Sequence, residues 1–167
     1  MRGLVAALLL LAGCSTSAPN SSSKARVLFF ITSDCPIANG FAPEIQRIVE
    51  QYGPRGLEFE RVYTDYTLTP EAVQKHGREY GYASAARIDK DHSVARTYGV
   101  TVTPTAVVVG PDGKWVYRGR IDDRYLAPGQ YRLVPTTHEL RDALDSVLAG
   151  RPVAVSETKA AGCPLTE

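Results

Sequence analysis

Hydrophobic positions change their period several times along this chain. From Ala25 to Ile31 the run Ala-Arg-Val-Leu-Phe-Phe-Ile is almost continuously apolar and rich in β-branched and aromatic residues, as in a strand buried on both faces. Thr32-Ser33-Asp34 then supplies helix-capping side chains, and Pro36 suits a first helical turn. Phe41, Ile45, Ile48 and Tyr52 recur at helical spacing until Gly53-Pro54, which predicts one long helix. Leu57 to Tyr63 reads as a second strand, so the chain opens as β-α-β, with a crossover expected to be right-handed.

Thr69-Pro70-Glu71 opens a second helix through about Tyr80, Ser84 to Ile88 reads as a short strand, and Asp91 to Tyr98 as a short helix ended by Gly99. Thr105 to Val109 and Lys114 to Arg118 flank Gly110-Pro111-Asp112-Gly113, a hairpin signal. Ile121 to Pro135 reads as a loop. Thr137 to Leu148 is an amphipathic helix that uses Leu140, Ala143, Leu144 and Val147. From Gly150 onward the sequence loses its period and predicts an irregular tail that carries Cys163.

The N-terminal pattern is of another kind. Arg2 precedes an apolar run, Leu4 to Leu11, that stops at Ala12-Gly13-Cys14. That run is too short for a membrane-crossing helix and ends in small residues, as a secretory signal does. Leu11-Ala12-Gly13-Cys14 also resembles the bacterial lipobox, in which the cysteine becomes the lipidated first residue; the competing reading is an ordinary signal with an incidental cysteine. The expected organisation is a signal peptide over 1–13, a flexible tether over 14–24 starting at lipidated Cys14, a folded domain over 25–150 and a tail over 151–167. The expected location is the membrane surface facing the periplasm or cell envelope.

Charge adds an exclusion. Nineteen basic residues face eighteen acidic ones, and losing Arg2 with the signal would leave eighteen of each. A balanced surface without basic runs argues against nucleic acid and against electrostatic membrane docking. With Cys14 set aside, Cys35 and Cys163 remain. In an oxidising compartment such a pair can be a disulfide, a redox couple or metal ligands, and the spacing does not choose among them.

Cys35 carries the candidate chemistry. A thiol at a helix start faces unpaired N–H groups, which favour the thiolate, and the thiolate is the form that attacks disulfides and peroxides. The competing reading is a buried, inert cysteine. Three positions, taken in order, resemble the thioredoxin superfamily: Cys35 directly after the first core strand, Pro43 eight residues further on, and Thr103-Pro104 before the hairpin. More narrowly, Cys35 to Asn39 (Cys-Pro-Ile-Ala-Asn), Arg118 to Asp123 and Gly162 to Pro164 resemble redoxin-type bacterial lipoproteins. The resemblance implies an α/β thioredoxin-like fold, a mixed central sheet flanked by helices, with Thr103-Pro104 as a cis-proline segment packed against the active cysteine. It implies Cys35 as nucleophile, a kink at Pro43, and Pro36, Thr103 and Pro104 along a substrate groove. Thr32, three residues before Cys35, is expected to donate its hydroxyl to that sulfur.

Departures from the family narrow the function. Ala38 stands where thioredoxins carry their second cysteine, and Phe29 where they keep a buried acid. The peroxiredoxin pattern is met at Thr32 and Cys35 but not at Leu28, and no arginine lies near Thr103-Pro104, which argues against peroxidase activity. Cys163 is then the remaining candidate partner for Cys35, as a resolving thiol; the alternative is an exposed tail thiol or one that binds another chain. Loop-closure cost grows only logarithmically with length. Arg118, Arg120, Asp122 and Asp123 either line the groove or are solvated. His76, His92 and His138 read as surface or capping residues, although Cys35, Cys163 and His138 together would suit Cu(I). The expected activity is thiol-disulfide exchange through Cys35, acting on protein thiols or disulfides or on a small thiol or peroxide, with no cofactor. The alternative is a non-catalytic binding module or a copper-handling chaperone on the same fold.

Overall fold

A computed structural model describes residues 24–127 and 129–165; the signal, Cys14 and most of the tether lie outside them. The first strand, β1 (Arg26–Ile31), lies at the centre of a five-stranded sheet. It pairs in parallel with β2 (Glu58–Tyr63), which pairs in parallel with the edge strand β3 (Ala85–Ile88). On its other side β1 runs antiparallel to the strand Thr105–Val109, which forms a hairpin with Trp115–Gly119. The mixed sheet expected from the resemblance is therefore present.

The continuous apolar pattern of β1 has a structural cause. Val27, Phe29 and Ile31 face a core built with Ile45, Ile48, Tyr52, Leu140 and Leu144, while Leu28 and Phe30 face a second cluster with Val62, Val107, Val109 and Ala95. Both faces of the strand are covered, so alternation would have placed polar groups in a core. Burial of each such side chain contributes about 1.5–3 kcal/mol.

The helix expected after Cys35 is divided into α1 (Pro36–Gly40) and α2 (Ala42–Tyr52). Pro43 has no N–H to donate to Asn39 and its ring crowds the preceding turn, so the chain changes course at Phe41. The helices α3 (Pro70–Glu79) and α4 (Ser93–Thr97) follow. Thr69 caps α3 by accepting from the Ala72 N–H at 3.3 Å. A two-residue strand, β4 (Val102–Thr103), precedes β5 (Thr105–Val109) and β6 (Trp115–Gly119). Gly113, at φ 81, closes the turn between the last two strands.

Two expectations about irregular segments are corrected. The stretch from Ile121 to Pro135 contains a small hairpin, β7 (Tyr125–Ala127) with β8 (Gln130–Tyr131), and Asp122 and Asp123 in it are buried. The tail after α5 (Glu139–Leu148) is docked along the domain and ends in β9 (Cys163–Pro164), antiparallel to β4. Its docking depends on Gly119, at φ 153, where a Cβ would overlap the backbone of Thr158. Among the described residues, no helix is long and apolar enough to cross a membrane.

Candidate functional site

The end of β1 releases the chain into Thr32-Ser33-Asp34, and Cys35 follows in extended conformation, φ −77 and ψ 114, as the cap residue of α1. The short turn is held from several sides. Asp65, just past β2, accepts from the Ser33 N–H at 2.9 Å, and Asn39 Nδ2 donates to the Ser33 carbonyl at 2.9 Å. The Asn39 N–H donates to the Cys35 carbonyl at 3.0 Å. Cys35 is thus bracketed by a single asparagine one helical turn further on.

Opposite lies the cis-proline segment. The Thr103-Pro104 peptide is cis, and Thr103 is fully buried. The Thr103 carbonyl lies 3.4 Å from Cys35 Sγ. After reduction that carbonyl is within reach as an acceptor for the thiol proton. The Thr32 hydroxyl does not approach the sulfur as expected: it pairs with the Thr103 hydroxyl at 3.2 Å. Thr32 ties the end of β1 to the cis-proline segment, a link set by two strands side by side that three-residue spacing does not reveal.

Cys35 and Cys163 are joined in a disulfide with their Cα atoms 6.2 Å apart. The separation is 128 residues, yet the tail is guided to it at two places. Near β6, Arg118 N–H donates to Ser156 O at 2.9 Å and Thr158 N–H to Arg118 O at 3.0 Å. The Thr158 hydroxyl meets Tyr117 Oη at 2.9 Å and accepts from the Arg120 N–H at 3.0 Å. Further on, Thr103 pairs with Cys163 and Val102 with Pro164, and Leu165 N–H donates to Thr101 O at 3.0 Å. The disulfide and its strand cover the sulfur, leaving Cys35 1% exposed while Cys163 stays partly exposed.

Gly162 makes this approach possible. A Cβ there would run into the Thr103 carbonyl and come within 3.1 Å of Pro104 N, both rigid backbone atoms. Its trace in the sequence is the glycine of the Gly-Cys-Pro segment. Pro36 lies exposed beside Cys35, and Pro104 is buried beneath the tail.

The charged residues at the end of β6 and just after it serve the scaffold. Arg118 donates to Tyr98 O at 2.7 Å and pairs with Glu157, and Arg120 pairs with Glu139. Burial pushes the Asp122 carboxyl up, while its Oδ1 accepts from the Arg124 N–H at 2.8 Å. Burial also works to raise Asp123, but donors from Thr136 and Thr137, with Arg132 nearby, hold its pKa down at about 2.

Of the histidines, His76 departs most from the surface role expected. It is buried, with Nδ1 2.9 Å from Tyr63 Oη and Nε2 3.0 Å from Asn39 Oδ1. Burial first, then the Arg61 guanidinium, pushes its pKa below the usual 6.5. His92 Nε2 donates to Thr64 O at 2.7 Å. Among the described residues no group of three or more His, Cys, Asp or Glu side chains is placed to hold a metal ion, so His138 does not join Cys35 and Cys163.

The family model described as AhpC/TSA family matches residues 8–118. No curated protein matches the chain. An uncharacterized conserved protein from Geobacillus kaustophilus is 30% identical, with a TM-score of 0.77, over 88% of this chain and 79% of its own. A hypothetical protein from Sinorhizobium meliloti is 27% identical, with a TM-score of 0.76, over 87% and 80%. A secreted Mycobacterium tuberculosis disulfide oxidoreductase homologous to Escherichia coli DsbE is 22% identical, with a TM-score of 0.51, over 78% and 84%. At that last identity the likeness bears on the fold alone.

Proposed function

The chain belongs to the AhpC/TSA family, and from that premise we propose that it is an envelope thiol-disulfide oxidoreductase in which Cys35 attacks and Cys163 resolves. The observation that carries this reading is the tail strand: it brings Cys163 onto Cys35 while pairing with the backbone just before the cis proline. In the proposed cycle, reduced Cys35 as thiolate attacks a substrate disulfide, forming a mixed disulfide and expelling one substrate thiolate. Cys163, as thiolate, then attacks the Cys35 sulfur and expels the second. The substrate has gained two electrons, and the chain is left with the Cys35–Cys163 disulfide. An external dithiol returns it to the reduced state, entering at the partly exposed Cys163 and releasing Cys35 as the leaving thiolate. Run in reverse, the same steps oxidise a substrate dithiol.

The covered sulfur sets a condition on this cycle. Cys35 meets a protein substrate only when β9 has left β4, and the same backbone edge is then free for the substrate chain. Peroxide is the less favoured substrate because the sulfur faces the Thr103 carbonyl and no arginine stands in that segment.

Export and attachment belong to the same proposal. Signal removal at Cys14 and lipidation there would leave residues 14–24 as the tether of a domain over 25–150, with 151–167 as its resolving tail. A disulfide between Cys35 and Cys163 fits an oxidising compartment. The deciding experiment uses the reduced Cys163→Ser protein and a disulfide-bonded peptide substrate. A stable mixed disulfide on Cys35 by peptide mass mapping is the expected result; turnover equal to that of the parent, with no trapped species, removes Cys163 from the cycle. Cys14→Ser is expected to abolish partition into detergent, and unchanged partition would overturn the anchor.

A further inference from the structure

A line of hydrogen bonds leads from β2 to the turn that carries Cys35. Arg61 Nη1 donates to Tyr63 Oη at 2.9 Å, and Tyr63 Oη lies 2.9 Å from His76 Nδ1. His76 Nε2 lies 3.0 Å from Asn39 Oδ1, and Asn39 Nδ2 donates to the Ser33 carbonyl at 2.9 Å. The Ser33 carbonyl fixes the directions at one end of the line and the Arg61 guanidinium at the other. A carbonyl can only accept, so Asn39 presents its amide nitrogen to Ser33 and its oxygen to His76. His76 Nε2 must therefore carry a proton. With a neutral ring, Nδ1 accepts from the Tyr63 hydroxyl, whose oxygen accepts in turn from Arg61. Each link is then satisfied in one direction.

We infer that His76 is a positioning residue for Cys35: through Asn39 it holds the Ser33 carbonyl, and with it the turn that points the sulfur at the cis-proline segment. Asn39 is the element with two contacts to the turn, its side chain on Ser33 and its N–H on the Cys35 carbonyl at 3.0 Å. Without His76 the Asn39 amide has no donor against its oxygen and is free to rotate away from Ser33. The turn then no longer fixes the sulfur against the Thr103 carbonyl.

The neutral ring is built into the surroundings. A charged His76 would present a second donor to Tyr63, leaving the buried tyrosine proton with no acceptor beside an existing guanidinium. The titratable groups around it are Arg61, Tyr63 and Asp65 on or just after β2, Glu79 and Tyr80 at the end of its own helix, and Tyr82 beyond it. Burial and Arg61 keep the ring neutral, and burial also keeps Tyr63 protonated.

This inference rests on Cys35 being the reactive thiol, and the experiment separates the two. Reduced parent protein and the variants His76→Leu, His76→Gln and Asn39→Ala are treated with a small disulfide, and the rate at Cys35 is read by peptide-resolved mass spectrometry. The same samples are melted to record stability. The loss of one aligned hydrogen bond should slow Cys35 in His76→Leu and Asn39→Ala by roughly 5- to 20-fold. The double variant should be no slower than either single one, because the two residues act in series. His76→Gln, whose amide reaches the Nε2 position, should recover most of the rate.

Rates within two-fold of the parent in Asn39→Ala and His76→Leu would overturn the inference even if stability falls, and so would a glutamine variant as slow as leucine. If His76→Leu fails to fold, His76→Gln and Asn39→Ala decide together: Asn39 is only partly buried and its loss cuts the same link from the other side, so a near-parent glutamine variant beside a slow Asn39→Ala supports the inference and equal rates in the two overturn it. An unreactive parent would instead sink the reading of Cys35 itself.

Discussion

Replacing Gly162 by alanine tests whether the tail is a fitted partner or a cysteine on a loose end. The new methyl group would enter space filled by the Thr103 carbonyl and the Pro104 nitrogen, and neither can rotate away as a side chain would. To make room, β9 must lift from β4, giving up the pairing of Cys163 with Thr103 and the bond from Leu165 N–H to Thr101 O. Two net hydrogen bonds are worth about 2 kcal/mol together. The anchor near β6 remains, so Cys163 stays on a short tether. Against a tail free from the end of α5, that anchor shortens the flexible segment about three-fold, which contributes about 1 kcal/mol of closure entropy. Gly162→Ala should therefore weaken closure of the Cys35–Cys163 disulfide by roughly 30-fold, equivalent to roughly 40 mV for a two-electron couple. Equilibration in glutathione buffers followed by non-reducing peptide maps reads this directly, with Ala161→Gly as the control for tail flexibility. A Gly162→Ala protein that closes its disulfide at the parent's buffer ratio refutes the reasoning, because the tail would then reach Cys35 without its strand.

Two further outcomes concern the scaffold. Ile45, fully buried beneath β1, should cost about 2–5 kcal/mol when cut to alanine, read by chemical denaturation; a loss under about 1 kcal/mol would mean the site collapses freely around the gap. Asp123 has a folded pKa of about 2 against an ordinary 3.8, so its stabilising share is complete above the unfolded value and fades as pH falls through the folded one. Asp123→Asn should flatten the dependence of melting temperature on pH between about 4 and 2; an unchanged slope there would assign the acid sensitivity to other carboxylates.

The parts of this molecule that were legible in its sequence are those whose physics is local or strictly periodic. The apolar run of β1 announced a strand covered on both faces, and it is covered on both faces. The Gly110 to Gly113 turn announced its hairpin, and Thr69-Pro70 the start of α3. Cys35 after the first strand and the cis bond before Pro104 followed from family resemblance, and the geometry places them against each other. The tail was misread because its order is borrowed. Ser156 to Thr158 and Cys163 to Leu165 have neither strand period nor capping residues of their own, and they become regular only against edges supplied by β6 and β4. A backbone edge leaves no trace in the side chains that will pair with it, except where a side chain must be absent. Gly119 and Gly162 are such traces, each a missing Cβ where two backbones meet. His76 was misread for the converse reason. A histidine on a helix is a surface residue by base rate, and only the meeting of β2, α3 and α1 shows that its two nitrogens are both engaged. The chemistry proposed for Cys35 therefore depends on the segments the sequence disclosed least. The strand and the helix start supply the sulfur, but a borrowed strand and a buried ring decide what it can touch and when.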